Sequence, residues 1–282
     1  MSILRISSNP YESPYEESGN EINTITILSE AVSIVLNSEY GEYINLKGGL
    51  ALLAALETSQ KSYLSRLTTD IDLDVQSKEI WEEFVANFEK LLNMNSKLGL
   101  TYKINSRRGF EKNAESDSIR ISVSKEQLVD SISIDMNIRP KPKQVKYLLP
   151  KMDIEIYASA LEYMLSDKLV VLSDRKICRR IKDFYDIYVI CQLKNFNMTI
   201  LVKEFNRYRG LSCLPDNGLY FTNKDSVEEM KHAYEKFEGI LNKPEFNELY
   251  AAVSNFTLPI YASIYSGINE CENWLKDKMI WE

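Results

Sequence analysis

Asp70, Asp72 and Asp74 alternate with Ile71, Leu73 and Val75 in one short run. Strand side chains alternate faces with period two, so the aspartates line one face and the apolar residues the other. Burying the apolar face crowds carboxylates into a small volume, where unpaired like charges repel. A divalent cation between them resolves the repulsion, and Mg²⁺ is typically held by one or two carboxylates plus substrate phosphates. Asp70 and Asp72 are therefore candidate ligands for metal ions of the phosphoryl-transfer kind. A DID strand is also found as a plain solvent-facing edge. Asp74 has the right face but lies two residues further along and reads as structural.

Three other groups of residues could serve the same chemistry. The apolar run Tyr43–Leu46 ends in Lys47-Gly48-Gly49, and a short apolar helix follows over 50–57. Glycines let the backbone approach a phosphate, and a helix N-terminus offers unpaired N–H donors. Gly-Gly alone equally marks a tight turn. Arg66 and Thr68, just before the aspartates, are candidates to contact phosphate or base. Asp135 lies in SISIDMNI, sharing a face with Ser131, Ser133 and Asn137. From a neighbouring strand it could complete a three-aspartate site and help to deprotonate an attacking hydroxyl. Lys168 stands at the edge of the helical apolar stripe Met164, Leu165, Leu169 and Leu172, where a lysine snorkels or points into a cleft. Asp183 and Asp186, three apart on a second helix, lie among Arg179, Arg180 and Lys182. Such charges also form ordinary helix-surface pairs.

Composition narrows the chemistry. His232 is the one histidine of 282 residues, which rules out a His-rich zinc site; it lies in a charged helical stretch. The four cysteines, Cys178, Cys191, Cys213 and Cys271, form no CxxC pair and read as reduced, mostly buried thiols. The net charge of -7 argues against generic coating of nucleic acid. Charge is nevertheless uneven: RPKPKQVKYLLPK (139–151) and RKICRRIK (175–182) are locally basic. No apolar run reaches the ~18 residues needed to span a bilayer. The N-terminus lacks the pattern of a signal peptide. A cytoplasmic chain without membrane contact is expected.

The elements that must position these residues divide into two patterns. A helix stripe covers 22–36, strands 43–47 and 69–75 flank the glycine turn, and 78–92 reads as an amphipathic helix. Strands follow near 102–104, 118–123 and 131–138; a proline-rich loop spans 140–150 and a short strand 154–158. Beyond 159 the pattern predicts helices alone: 159–172, 181–193, 198–208, 225–241, 245–253 and 261–280. The expected fold is α+β: a mixed-sheet domain over 1–157, with 1–20 a loose arm, followed by an α-helical domain over 158–282.

KGGLAL (47–52), RLTTDIDLDV (66–75), the isolated strand aspartate Asp135, DKLVVLSDR (167–175) and RIKDFYDIY (180–188), in that order, resemble the AbiEii/AbiGii-type nucleotidyltransferase toxins. These are abortive-infection and toxin–antitoxin proteins of the DNA polymerase β-like nucleotidyltransferase superfamily. The resemblance implies an N-terminal nucleotidyltransferase domain and a chain that moves NMP from an NTP to an acceptor, such as a tRNA 3′ end, with Mg²⁺ or Mn²⁺. It implies Asp70, Asp72 and Asp135 as metal ligands, and Lys47, Gly48, Gly49, Arg66 and Thr68 as the nucleotide-binding turn and its surroundings. It gives Lys168 to the phosphates, Asp183 to fixing Lys168 or the acceptor, Asp186 as its partner, and Arg180 and Lys182 to the triphosphate. A cognate antitoxin and a role in phage defence are also implied. The superfamily often has Gly-Ser where this chain has Gly-Gly, so a serine hydroxyl is missing. That leaves open a nucleotide-binding pseudoenzyme or interaction protein on the same fold. Nucleotidylation of a protein or small molecule stays open too.

Overall fold

The computed structural model describes residues 22–111, 114–126, 128–174, 177–216, 218–268 and 272–282. The expected N-terminal arm (1–20) and Cys271 lie outside the described residues. Met1–Ser159 and Ala160–Glu282 are two compact units.

The first unit is built on a seven-stranded mixed sheet. Its elements run α1 (Thr24–Leu36), β1 (Ile44–Lys47), α2 (Gly48–Thr58), β2 (Asp70–Val75), α3 (Lys78–Asn95), β3 (Thr101–Arg107), β4 (Ser116–Lys125), β5 (Leu128–Ile138), β6 (Gln144–Leu148) and β7 (Glu155–Ser159). The strand order is β3-β4-β5-β2-β1-β7-β6. β2 runs parallel to β5 and antiparallel to β1, so the aspartate strand is central.

One sheet face is apolar. Ile71, Leu73, Ile119, Ile121, Ile132, Ile134 and Met136 are all buried. On α3, Trp81, Phe84, Phe88 and Leu92 recur at helical spacing and are fully buried. Each such side chain contributes about 1.5–3 kcal/mol of hydrophobic stabilisation. Two buried carboxylates lock helices to this face. Asp117 accepts from Trp81 Nε1 at 2.7 Å and Arg107 Nε at 2.6 Å. Glu30 of α1 accepts from Tyr102 Oη at 2.8 Å and the Leu98 N–H at 2.7 Å.

β6 lies where a proline-rich loop was expected. It is an edge strand, the position where lysine and flanking proline are tolerated because one side of the ladder needs no partner.

The second unit contains α4 (Leu161–Ser173), α5 (Ile181–Leu193), β8 (Phe196–Asn197), α6 (Met198–Tyr208), α7 (Lys224–Glu235), α8 (Phe246–Ser266), β9 (Asn273–Leu275) and β10 (Ile280–Trp281). Helices alone were expected here, and two differences stand out. The separate helices expected over 245–253 and 261–280 are instead one helix, α8, running through Pro259, followed by a hairpin. The three short strands pair in the order β10-β9-β8. Aromatic packing explains the hairpin: Phe256 meets Trp274 edge-on at 4.8 Å and stacks on Trp281 at 5.8 Å. Both indole N–H groups donate to backbone carbonyls, of Cys191 and Phe256 respectively. Cys191 is buried as expected, whereas Cys213 is exposed.

Candidate active site

Sheet register sets the carboxylates side by side. Asp70, Asp72 and Asp74 of β2 pair with Ser133, Asp135 and Asn137 of β5. On the other side Asp72 pairs with Lys47 and Asp74 with Asn45 of β1. All these residues share the face opposite the apolar one. Asp70 and Asp72 are half-buried and Asp135 is exposed. One oxygen of Asp70, Oδ1, accepts from Ser133 Oγ at 2.7 Å and Thr69 Oγ1 at 3.2 Å.

Asp74 is buried, and its carboxylate accepts from Lys47 Nζ at 2.5 Å. Burial lowers the Lys47 pKa; the Asp74 charge opposes this, and the Arg139 charge adds to the lowering. The Lys47 ammonium thus ties β1 to β2 through Asp74.

The glycine turn is dictated by close approach. Gly48 has φ +66°, and a Cβ there would stand 1.9 Å from Asp72 Oδ2. A Cβ on Gly49 would lie 2.5 Å from Thr68 Oγ1 and 3.6 Å from an Arg66 guanidinium nitrogen. Gly48, Gly49, Arg66, Thr68 and Asp72 are therefore brought together. α2 begins at Gly48 itself, two residues earlier than expected, and its N-cap Lys47 makes no side-chain capping hydrogen bond. The N-terminus of α2, the positive end of its dipole, therefore lies beside Asp72.

These residues fit a hard cation in one way. Among the described residues, no three His, Cys, Asp or Glu side chains form a ready metal cluster. The adjacent positions Asp72 and Asp135, with Asp70 next along the strand, suit an ion that takes one or two carboxylates and fills its shell with phosphate and water.

The second unit carries its own ion cluster. Lys168 Nζ donates to Asp186 Oδ2 at 2.5 Å and Asp183 Oδ1 at 3.0 Å, and all three side chains are buried. Arg180 Nε donates to Asp183 Oδ2 at 2.7 Å. Burial pushes the Asp183 carboxyl up, but the Lys168 charge and the hydrogen bond and charge of Arg180 outweigh it and hold Asp183 well below the usual carboxylate range. Lys182, beside them in sequence, is exposed.

Residues 33–252 match the family described as "Nucleotidyl transferase AbiEii toxin, Type IV TA system". The chain belongs to the AbiEii family. It is a nucleotidyltransferase of a toxin–antitoxin family, and AbiEii membership implies an antitoxin partner. A candidate nucleotidyltransferase from H. pylori has a similar crystal structure, with a TM-score of 0.53 at 12% identity over 89% of this chain and 99% of that one. JHP933 from Helicobacter pylori gives 0.53 at 13% identity over 86% and 91%. At such identities the likeness is one of fold. No curated protein sequence matches. No helix among the described residues is long and apolar enough to cross a membrane.

The AbiEii chain's Gly-Gly, in place of Gly-Ser, has a local physical cause. Thr68 Oγ1 occupies the space a side chain at position 49 would need. A hydroxyl thus stands beside the turn although it is carried by the segment that precedes β2. Sequence reasoning gave no role to Ser133. The signal was present, since Ser133 shares the polar face of β5 with Asp135, but its bond to Asp70 depends on the parallel β2–β5 register, which no local pattern reveals.

Proposed function

We propose that this AbiEii-family chain transfers NMP from an NTP to an acceptor hydroxyl, releasing pyrophosphate, and that the first unit carries the transfer. The observation that supports this most is the approach of Gly48 to the Asp72 carboxylate. It sets an anion-binding helix N-terminus beside clustered carboxylates, a pairing with use for a metal-bound triphosphate. Bound Mg²⁺ or Mn²⁺, held by Asp70, Asp72 and Asp135, would neutralise phosphate charge and favour ionisation of the acceptor hydroxyl. The α2 N–H groups and Arg66 hold phosphate oxygens, and the Thr68 hydroxyl adds a donor. Asp135, the exposed carboxylate, takes the acceptor's proton. The acceptor oxygen bonds to the α-phosphorus as the bond to the β-phosphate oxygen breaks, and pyrophosphate leaves with the electron pair.

Retention of the carboxylates and of a hydroxyl at the turn supports an enzyme over a pseudoenzyme. A tRNA 3′ end as acceptor, growth inhibition and phage defence are carried by the resemblance and belong to the same proposal. The phosphate role of Lys168, with Arg180, Lys182, Asp183 and Asp186, is tested apart. Lys168→Met should raise the KM for NTP, and an unchanged KM would leave the cluster structural.

The test is pyrophosphate release from each NTP, with and without Mg²⁺. Release that needs metal and is lost in Asp72→Asn is expected. Release that persists in EDTA would overturn the metal assignment.

A further inference from the structure

The aspartates of β2 are held from two different sides. In the sheet order β5-β2-β1, Asp72 lies against the glycine turn that follows β1, since a Cβ on Gly48 would stand 1.9 Å from its Oδ2. Asp70 is tied to the other neighbour. Its register partner on β5 is Ser133, whose Oγ donates to Asp70 Oδ1 at 2.7 Å. Thr69 Oγ1 donates to the same oxygen at 3.2 Å. Ser133 is half-buried between Ile132 and Ile134, both buried on the opposite face, so the pleat of β5 fixes where its hydroxyl stands. A hydrogen bond to a carboxylate is charge-assisted and about twice as strong as a neutral one. It also draws electron density from the oxygen that accepts it, which then competes less well for a cation.

Oδ1 of Asp70 thus serves two hydroxyls, and turning it to a cation means giving them up. Cations differ in what this costs them. Ca²⁺ takes roughly six to eight oxygens in a flexible shell and accepts a carboxylate through one oxygen or both. Mg²⁺ demands a near-ideal octahedron and is held by one or two carboxylates, with water and phosphate completing the shell. We propose that Ser133 is a positioning residue that sets cation selectivity. Its hydroxyl, with that of Thr69, keeps Asp70 from gripping a cation through both oxygens, and so biases the aspartate face toward Mg²⁺ or Mn²⁺ and against Ca²⁺. This rests on the metal assignment in the transfer reading above and adds to it the residue that decides which cation is accepted. Ser133 acts through Asp70 and touches no reacting atom. A bond that merely held β5 to β2 would, when lost, lower stability and weaken every cation alike; a positioning bond changes their ratio.

The test reads binding without turnover. Mn²⁺ is titrated into the full chain with no nucleotide present, free Mn²⁺ is followed by electron paramagnetic resonance, and bound Mn²⁺ is then displaced by Mg²⁺ or by Ca²⁺. Wild type, Ser133→Ala and Ser133→Thr are compared. Losing the group that orients a metal-binding side chain weakens metal binding by about 10–100-fold. Ser133→Ala should therefore bind Mn²⁺ and Mg²⁺ at least about tenfold more weakly while its Ca²⁺ affinity holds, so the preference for Mg²⁺ over Ca²⁺ falls by the same factor. Ser133→Thr keeps the hydroxyl and should keep the wild-type preference. An unchanged preference in Ser133→Ala, or both cations weakened alike, would overturn the proposal and leave the transfer reading standing. Wild type that shows the preference and loses it in Ser133→Ala, yet releases no pyrophosphate from any NTP, would refute the transfer reading and leave Ser133 its role. Mn²⁺ left free by wild type would remove the cation from the aspartate face and refute both.

Discussion

Replacing Gly48 by alanine probes the geometry on which the site depends. Two costs add. The backbone at Gly48 has φ +66°, a left-handed conformation that costs an L-residue about 1–2 kcal/mol. The new Cβ would also stand 1.9 Å from Asp72 Oδ2 and 2.7 Å from Asp72 Cβ. Something must shift, and overpacking of this kind costs about 1–3 kcal/mol. Gly99 supplies an internal control in the same unit. Its φ is +68°, but a Cβ there meets only the flexible Lys125 side chain, at 3.9 Å. Gly99→Ala therefore carries the conformational cost alone, and the difference between the variants isolates the clash. For a unit the size of Met1–Ser159, each kcal/mol moves Tm by about 2–4 °C, so Gly48→Ala should melt about 2–12 °C below Gly99→Ala in calorimetry. It should also lose transfer, because Asp72 is displaced, while Gly99→Ala keeps it. Equal melting of the two variants would refute the close approach of the turn to Asp72.

Gly49→Ser should be inactive because of Thr68 Oγ1, and adding Thr68→Ala should restore part of the activity, the remaining 3.1 Å contact to Thr68 Cβ needing a small shift; no rescue in a kinetic assay would dismiss the exchange of hydroxyls. Lys47→Met takes the Lys47 partner from the buried Asp74 and should cost about 3–5 kcal/mol in urea unfolding, with Asp74→Leu recovering most of it; a loss below about 1 kcal/mol would count against a buried pair. The folded-state pKa of Asp183 lies below its ordinary 3.8, so the unfolded chain takes up the proton first as pH falls. This stability is present above about pH 4 and is lost as pH falls further. Calorimetry should show wild type losing Tm below pH 4 more steeply than Asp183→Asn, and parallel profiles would remove Asp183 as the cause.

Much of the first unit could be read from single residues. Ile71, Leu73 and Val75 between aspartates, and the clean alternation of SIRISV and SISIDMNI, mark strands whose apolar face must be buried, and β2, β4 and β5 lie there. What stayed hidden depended on partners distant in sequence. Nothing near Lys47 indicates that its ammonium is taken by Asp74, 27 residues away. Edge strand β6 carries Lys146 and follows Pro140 and Pro142, so its surroundings resemble a loop, and only pairing with β7 makes it a strand. In the second unit, apolar spacing over 261–280 suggested helix, but Trp274 and Trp281 gain more by packing on Phe256, and a hairpin results. Within α8, the ring of Pro259 is tolerated at the cost of one intrahelical hydrogen bond. Asp70 and Asp72 were legible as a pair from the period of two alone, whereas the place of Asp135 beside Asp72 depends on the parallel β2–β5 register.

The decisive experiment incubates purified wild type and Asp70→Asn with Mg²⁺, each α-labelled NTP in turn, and total bacterial tRNA. Label should enter RNA, with pyrophosphate released, in the wild-type reaction alone, while circular dichroism shows both proteins folded. Equal labelling by Asp70→Asn would contradict catalysis at the aspartate face. So would a wild-type protein that binds NTP and Mg²⁺ but never releases pyrophosphate.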